Sequence, residues 1–452
     1  MFRSFKIKVT KFLKNTFGEK PFLMYHKILA KIAAWWYGYP SKSMLVVAVT
    51  GTKGKTSTLN FLWHVLTAGG YKVGLVSTAN IKIGNEELMN WYHMTMPGRF
   101  LLQKLLARMR DEGCDVALVE VTSEGIKNSR HIGLAYDFAV FTNIFPEHLA
   151  SHENSFEKYR DTKAVLFKNL SQQPQKIWHN KTLPKVAIVN ADNDHAETFL
   201  QFPADKHITY GFEHGNLIAE NILQNIGGVE FTLTGLRYHI PLIGVFNIYN
   251  ALPAIAVAQE LQISPNDIVQ GLENCVVIPG RMEIINEGQD FTAIVDYAHE
   301  GVSFRLALEA AQKAKKTSFN KVIAVYGAEG GGRDLSKRVT MSKAASELAD
   351  YVIVTLSDPF DADPQEINDD LVEKLEGFGM KKGEKVFDYV DRKEGIEKAV
   401  ELAQPGDVIL FASKGAEQTI MFKDRIIPWD DRREVRNAIK ARLQSQNITI
   451  DK

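Results

Sequence analysis

The chain has 452 residues, 45% of them apolar and 24% charged, with basic and acidic side chains balanced at a formal net charge of zero. This is the profile of a soluble globular protein of two or three domains, with no global charge that would draw it to nucleic acid. Its two cysteines, Cys114 and Cys275, lie far apart in sequence, which excludes a disulfide framework or a Cys-based zinc site and points to a reducing, cytoplasmic location.

Residues 1–44 carry Arg3, Lys6, Lys8, Lys11, Lys14, Lys20, Lys27, Lys31 and Lys42 against a single acid, Glu19. Phe22, Tyr25, Leu29, Ile32 and Trp36 fall on one helical face, and Lys20, Lys27 and Lys31 on the opposite one. The segment is too short and too often interrupted by charge to span a bilayer, and it has no cleavage-site pattern. Two readings stand: a helix docked on the body with a solvated basic face, or a helix lying on an anionic membrane surface.

The apolar run Val46–Thr50 then leads into Gly51-Thr52-Lys53-Gly54-Lys55-Thr56-Ser57. A helical pattern follows through Leu59, Phe61, Leu62, Val65 and Leu66, stopping at Gly69-Gly70. Strand, glycine loop and helix in this order cradle nucleotide phosphates. Backbone N–H groups and the helix N-terminus face the anion, Lys55 adds positive charge, and Thr56 can ligate Mg²⁺. The loop departs from the general phosphate-loop pattern, which has glycine where this chain has Val49.

Further strands are expected at Val73–Ser77, Val116–Val121, Phe138–Thr142 and Val186–Asn190, with helices such as Arg99–Arg110 between them. Residues 207–245 read as a small antiparallel addition, and Asn247–Leu261 as a helix. Pro279-Gly280 looks like a domain joint. Beyond it, Phe291–Val295, Lys321–Tyr326, Tyr351–Thr355 and Val408–Ala412 alternate with helices. The expected fold is α/β: a basic amphipathic segment (1–44), a central phosphate-loop ATPase domain on a parallel sheet (45–279), and a smaller Rossmann-like domain (280–452).

Polar clusters fall where loops leave strand ends, the usual ligand edge of such sheets. They are Glu120-Val-Thr-Ser123, Thr142-Asn143 with Glu147-His148, and Tyr159-Arg-Asp-Thr-Lys163. Singly, each has a plain role as helix cap, surface histidine or solvated lysine. Together, beside a phosphate loop, they could supply divalent-metal ligands and phosphate contacts.

With these motifs in order, the chain resembles the Mur ligases, ATP-dependent amide-forming enzymes of peptidoglycan precursor synthesis. Later segments extend the likeness: Asn247-Ile-Tyr-Asn250, Pro279-Gly-Arg281-Met-Glu283, Asp296-Tyr-Ala-His299, Gly330-Gly-Gly-Arg333-Asp334 and Ser413-Lys-Gly-Ala-Glu417. The set most resembles the branch that adds the third residue to UDP-N-acetylmuramoyl-L-Ala-D-Glu, over about residues 44–452. The resemblance implies ATP and Mg²⁺ as cofactors. It implies metal ligation by Thr56, Glu120, His148 and a carbamylated Lys163, with Lys55, Glu120, His148 and Lys163 as the catalytic set. Gly51, Thr52, Lys53, Gly54, Lys55, Thr56, Ser57, Asn250, Arg281 and Asp296 would surround the nucleotide. Thr95, Ser123 and Arg130 match residues that hold the muramoyl dipeptide. Arg333 matches the grip on the incoming amino acid's α-carboxylate, and Glu417 matches a carboxylate that receives a distal amine. A monomer is expected.

The likeness breaks in places. The family's first domain, which holds the UDP end of the acceptor, is much longer than 44 residues. Diaminopimelate enzymes carry Asp-Asn-Pro-Arg where this chain has Ser357-Asp358-Pro359-Phe360, so lysine or another diamine fits better than diaminopimelate. Lys53, Glu124 and Ala416 also depart from the family's usual residues. A related ligase acting on a lipid-linked muramoyl peptide or on folate, or a nucleotide-gated binding protein, are the competing expectations.

Overall fold

The structure, a computed structural model, describes residues 19–84, 86–90, 95–147, 149–331 and 335–450, with backbone alone for 19–22, 89 and 447–450. It divides into two compact units. One comprises Met1–Leu88, Tyr92–Ile218 and Tyr249–Gly271, the other Met89–Trp91, Ala219–Ile248 and Leu272–Lys452. Of the antiparallel addition expected over residues 207–245, only 220–240 is antiparallel, a three-stranded sheet of its own that groups with the second unit. Lys206–Gly211 and Leu217–Ile218 instead pair parallel at the edge of the first unit's large sheet.

In the first unit the strands are β1 (Leu45–Thr50), β2 (Val73–Val76), β3 (Asn80–Ile83), β4 (Glu86–Met89), β5 (Val116–Glu120), β6 (Phe138–Phe141), β7 (Val186–Asn190), β8 (Lys206–Gly211) and β9 (Leu217–Ile218). They form one sheet in the order β9-β8-β7-β6-β1-β5-β2-β3-β4. Pairing is parallel from β9 to β2, and β3 returns antiparallel to β2. Every residue of β1, β5, β6 and β7 is buried. Unbroken β-branched and aliphatic runs need cover on both faces, and helices supply it. Because β1 lies between β5 and β6, three strand ends leave the sheet together. Val49 pairs with Glu120, and Thr50 with Phe141.

The helices that matter for the site are α1 (Glu19–Trp36), α2 (Lys55–Ala68), α3 (Arg99–Asp111), α4 (Ser123–Lys127) and α5 (Phe156–Lys168). α1 packs on α3, but not by its large apolar side chains. Ala30, Ala33 and Ala34 are buried, whereas Tyr25, Ile32 and Trp36 are 56%, 42% and 69% exposed. The docked face is the one with small side chains, because the chain at Gly133 comes so close that a Cβ there would stand 2.5 Å from Ala34 Cβ. Lys27 and Lys31 are exposed, as expected.

The second unit holds β10 (Glu220–Asn225), β11 (Gly228–Leu233) and β12 (Leu236–Ile240), which form the small antiparallel sheet. A six-stranded sheet follows: β13 (Glu283–Ile285), β14 (Thr292–Val295), β15 (Val322–Tyr326), β16 (Tyr351–Thr355), β17 (Val386–Tyr389) and β18 (Val408–Phe411), in the order β13-β14-β18-β15-β16-β17. All its pairs are parallel except β13 with β14. Helices Gly301–Ala314, Ser336–Leu348 and Pro364–Gly377 close one face, and Arg392–Leu402 and Asp431–Ile450 the other. This is the second α/β unit expected from the sequence, with two added edge strands, β13 and β17.

Candidate active site

The loop after β1 is shaped by two glycines in conformations that L residues avoid, Gly51 (φ +147°) and Gly54 (φ +83°). A Cβ on Gly51 would stand 2.0 Å from Thr142 Oγ1, and one on Gly54 would stand 2.2 Å from Asn250 Oδ1. The strand end after β6 holds the loop in place. Thr142 Oγ1 donates to Lys53 O (2.6 Å), Lys53 N to Asn143 Oδ1 (2.9 Å) and Thr52 N to Asn143 O (2.8 Å). Gly54 is the N-cap of α2 and offers no side chain to it. The first N–H groups of the helix, at Lys55, Thr56 and Ser57, are therefore left to an anion.

Charged groups converge on this loop. Lys55 Nζ donates to Gly51 O and Thr52 O, each at 2.9 Å, and lies 3.9 Å from Glu120 Oε1. Lys163, carried on α5, is buried and donates to the same Gly51 O at 2.8 Å. Burial, and then the neighbouring Lys55, drives its pKa well below the ordinary lysine value. Glu120 Oε2 accepts from Thr56 Oγ1 (2.9 Å), Thr78 N (2.8 Å) and Thr78 Oγ1 (3.0 Å). Lys53, expected to face the phosphates, pairs with Glu147 at 3.1 Å. Lys55, Thr56, Glu120 and Lys163 are thus brought together, while His148 lies outside the described residues.

Among the described residues no three His, Cys, Asp or Glu side chains gather as a metal cluster. The donors present are a threonine hydroxyl and one carboxylate. Such a set fits Mg²⁺, which takes hard oxygens and fills its sphere with phosphate and water.

A second ring of contacts links the loop to the expected acceptor residues. Thr52 Oγ1 meets Tyr159 OH at 3.0 Å, Tyr159 packs edge-on against His152, and His152 Nε2 meets Ser123 Oγ at 3.1 Å. Burial lowers the pKa of His152. Sequence reasoning had not selected His152 or Thr78. The one available signal for His152 was its place between Glu147 and Lys163. Ser123 opens α4, whose cap Thr122 accepts from Gly125 N at 3.0 Å. Arg130 Nη1 donates to Met96 O, next to half-buried Thr95, and a Cβ on Gly125 would meet Met96 Sδ at 2.3 Å. Thr95, Ser123 and Arg130 therefore stand around one short helix. His26 of α1 reaches the same place. Burial, then Arg99 and Arg130, lowers its pKa to about 4.

In the second unit Asp296 follows β14 and accepts from Met282 N and Ala298 N, both at 2.8 Å. The Arg281 guanidinium lies 4.3 Å over the Tyr297 ring. Asp358 and Glu417 are brought together by Lys414, a residue of the Ser413–Glu417 motif to which the sequence had assigned no role. Buried Lys414 lies 3.0 Å from both Asp358 oxygens and also contacts Glu417 Oε2. Burial would lower the Lys414 pKa, but the two carboxylates outweigh it and raise it. Tyr297 OH donates to the other Glu417 oxygen at 3.3 Å. Glu417, expected to receive an incoming amine, thus already holds an internal one. Phe360 sits at the selector position with φ +53°, its N–H bonded to Met421 O. Arg333 lies outside the described residues.

Residues 49–258 match the Mur ligase middle domain, and residues 280–415 the Mur ligase, glutamate ligase domain. The chain is 33% identical over 441 residues to a UDP-N-acetylmuramoyl-L-alanyl-D-glutamate–2,6-diaminopimelate ligase of Bacillus cereus, covering 96% of this chain and 84% of that one. It is 34% identical to a UDP-N-acetylmuramyl-tripeptide synthetase of Treponema denticola, with coverages of 91% and 79%. A solved diaminopimelate ligase structure is similar at a TM-score of 0.60 and 28% identity, covering 89% of this chain and 79% of that one. A Mycobacterium tuberculosis folylpolyglutamate synthase shares the fold, with a TM-score of 0.68, 18% identity and coverages of 85% and 91%.

Proposed function

The chain belongs to the Mur ligase family, and we propose that it joins lysine or another diamine to a muramoyl-L-Ala-D-Glu acceptor through an acyl phosphate. It is an ATP-dependent, ADP-forming amide ligase of peptidoglycan precursor synthesis. The observation that carries the finer reading is the convergence of Lys55, Thr56, Glu120 and Lys163 around the Gly51 carbonyl.

A carboxylate is a poor acyl donor because its oxygen leaves poorly. Transfer of the γ-phosphoryl group converts that oxygen into phosphate, which an amine can displace. The N–H groups at the start of α2 hold the nucleotide phosphates. Lys55 exchanges its two carbonyl partners for the γ-phosphate and neutralises charge that grows during transfer. Thr56 and Glu120 would hold Mg²⁺, which supplies further neutralisation of the phosphates when bound. Burial favours the neutral amine of Lys163, the form that adds CO₂. The carbamate so formed, with release of a proton, turns a cation into an anionic oxygen ligand. His148 is assigned the second metal. Thr95, Ser123 and Arg130 position the acceptor. Asn250, Arg281 and Asp296 serve the nucleotide, and Arg333 takes the amino acid's α-carboxylate. The incoming amine must lose a proton before or during attack.

The amino acid is argued from charge. Asp358 and Glu417 together outnumber Lys414, and Phe360 has no cation for a distal carboxylate. A distal ammonium is favoured over the zwitterionic end of diaminopimelate, although relatives are named for the latter. The two cysteines are buried free thiols, which fits work in the cytoplasm. The test is ATP-dependent phosphate release with UDP-N-acetylmuramoyl-L-Ala-D-Glu and a panel of amino acids, with products read by mass. A lysyl tripeptide is expected. Faster turnover with diaminopimelate refutes the selector argument, and no turnover with any amino acid refutes the acceptor.

A further inference from the structure

Helix α1 joins its unit through its smallest side chains and turns its largest ones outward. Ala30, Ala33 and Ala34 are buried, and Ala34 abuts Gly133. Just beyond the helix, Arg110 Nη1 donates to Tyr37 O at 3.1 Å. Ser41 Oγ donates to Gly133 O (3.1 Å) and accepts from Ala135 N (3.0 Å). These ties set the roll of the helix. On the opposite side Met24, Tyr25, Ile28, Ile32, Trp35 and Trp36 are 65%, 56%, 48%, 42%, 65% and 69% exposed. At the helical period they fall within an arc of roughly 120°. Exposed Lys27 and Lys31 border that arc, and exposed Lys42 follows the helix.

We propose that this face of α1 lies on an anionic lipid surface and holds the enzyme there peripherally. A contiguous apolar arc that includes two tryptophans is more than a lone surface residue needs explaining for, and it calls for an occupant. Charge selects the occupant. Residues 1–44 hold nine lysines and arginines against Glu19. A second copy of the chain would bring like charges together across the contact, whereas anionic headgroups complement them. Indole rings beside lysines suit the headgroup boundary. Among the described residues no helix is long and apolar enough to cross a membrane, so the contact is one of lying on the surface.

The experiment is sedimentation of the full chain with phosphatidylcholine vesicles, with and without phosphatidylglycerol, and with tryptophan emission followed in parallel. Binding should require phosphatidylglycerol, weaken with added salt and shift the emission to the blue. The double variants Trp35→Ala/Trp36→Ala and Lys27→Glu/Lys31→Glu should each weaken binding by at least about tenfold. Their circular dichroism and melting should be unchanged, because all four side chains are exposed. Absence of binding overturns the proposal, as does equal binding to neutral vesicles or binding that survives both variants. A dimer seen by light scattering and lost in Trp35→Ala/Trp36→Ala would assign the face to a second copy and overturn it too. None of these outcomes depends on which amino acid the enzyme adds.

Discussion

Two lysine sites in this chain are built on opposite plans. Around Gly51, the amino groups of Lys55 and Lys163 share a backbone carbonyl, with the Glu120 carboxylate 3.9 Å from Lys55. Around Lys414, two carboxylates enclose one ammonium. Burial acts on both buried lysines, yet the pKa of Lys163 goes down and that of Lys414 goes up. The difference is the partner. Carbonyl dipoles hold a cation loosely enough for it to turn to an incoming phosphate, or to lose its proton. A pair of carboxylates locks the cation and leaves a net negative charge.

Lys55→Ala tests the first plan most severely. It should lower kcat by about 10³-fold or more in steady-state phosphate release, because charge on the transferring phosphoryl group loses its nearest cation. A loss under tenfold would break the comparison. Lys163→Gln should cost about 10²-fold in the same assay. Wild-type activity should fall in CO₂-depleted buffer and recover with bicarbonate, and the variant should respond to neither. Lys414→Met tests the second plan through stability. It strands buried Asp358 beside half-buried Glu417 as like charges and should destabilise the second unit by about 2–4 kcal/mol, read from its urea transition. Adding Asp358→Asn and Glu417→Gln should restore much of that loss.

Phe360→Arg sharpens the comparison by placing a cation at the selector. It should shift relative kcat/KM toward diaminopimelate over lysine by about tenfold. The smallest effect concerns α1. Burial, and then Arg99 and Arg130 beside His26 and Lys27 beside His131, lowers the folded-state pKa of both histidines to about 4 against an ordinary 6.5. Between these values the unfolded chain binds protons that the folded one refuses. Their contribution to stability is therefore whole above pH 6.5 and is lost as pH falls to about 4. Amide exchange over residues 23–36, corrected for its intrinsic rate, should accelerate through that window. Flat protection from pH 6.5 to 4 would contradict it.

Much of the fold was legible because buried parallel strands need continuous apolar runs. The structure places β1, β5, β6, β7 and β16 within a residue of where those runs lie. β17 escaped notice because an edge strand is covered on fewer sides, and Val386–Tyr389 is mostly half-buried with an aspartate in it. Lys55, Thr56 and Glu120 could be read from motifs at strand ends, and Lys163 from the Tyr159–Lys163 motif, which lies within α5. Thr78 and His152 could not, because each acquires its role only from a partner far away in sequence, Glu120 and Ser123. Lys414 stood in a motif whose second carboxylate, Asp358, comes from a distant strand end.

The sequence by itself determined the α/β alternation, the phosphate loop and its four converging residues, because local periodicity and glycine geometry act within a few residues. Only the tertiary structure decided which face of α1 docks, since the close approach of Gly133 admits alanines and turns tryptophans away. It alone decided, too, that Lys414 stands between Asp358 and Glu417, because a buried charge is set by whichever distant groups the fold brings to it.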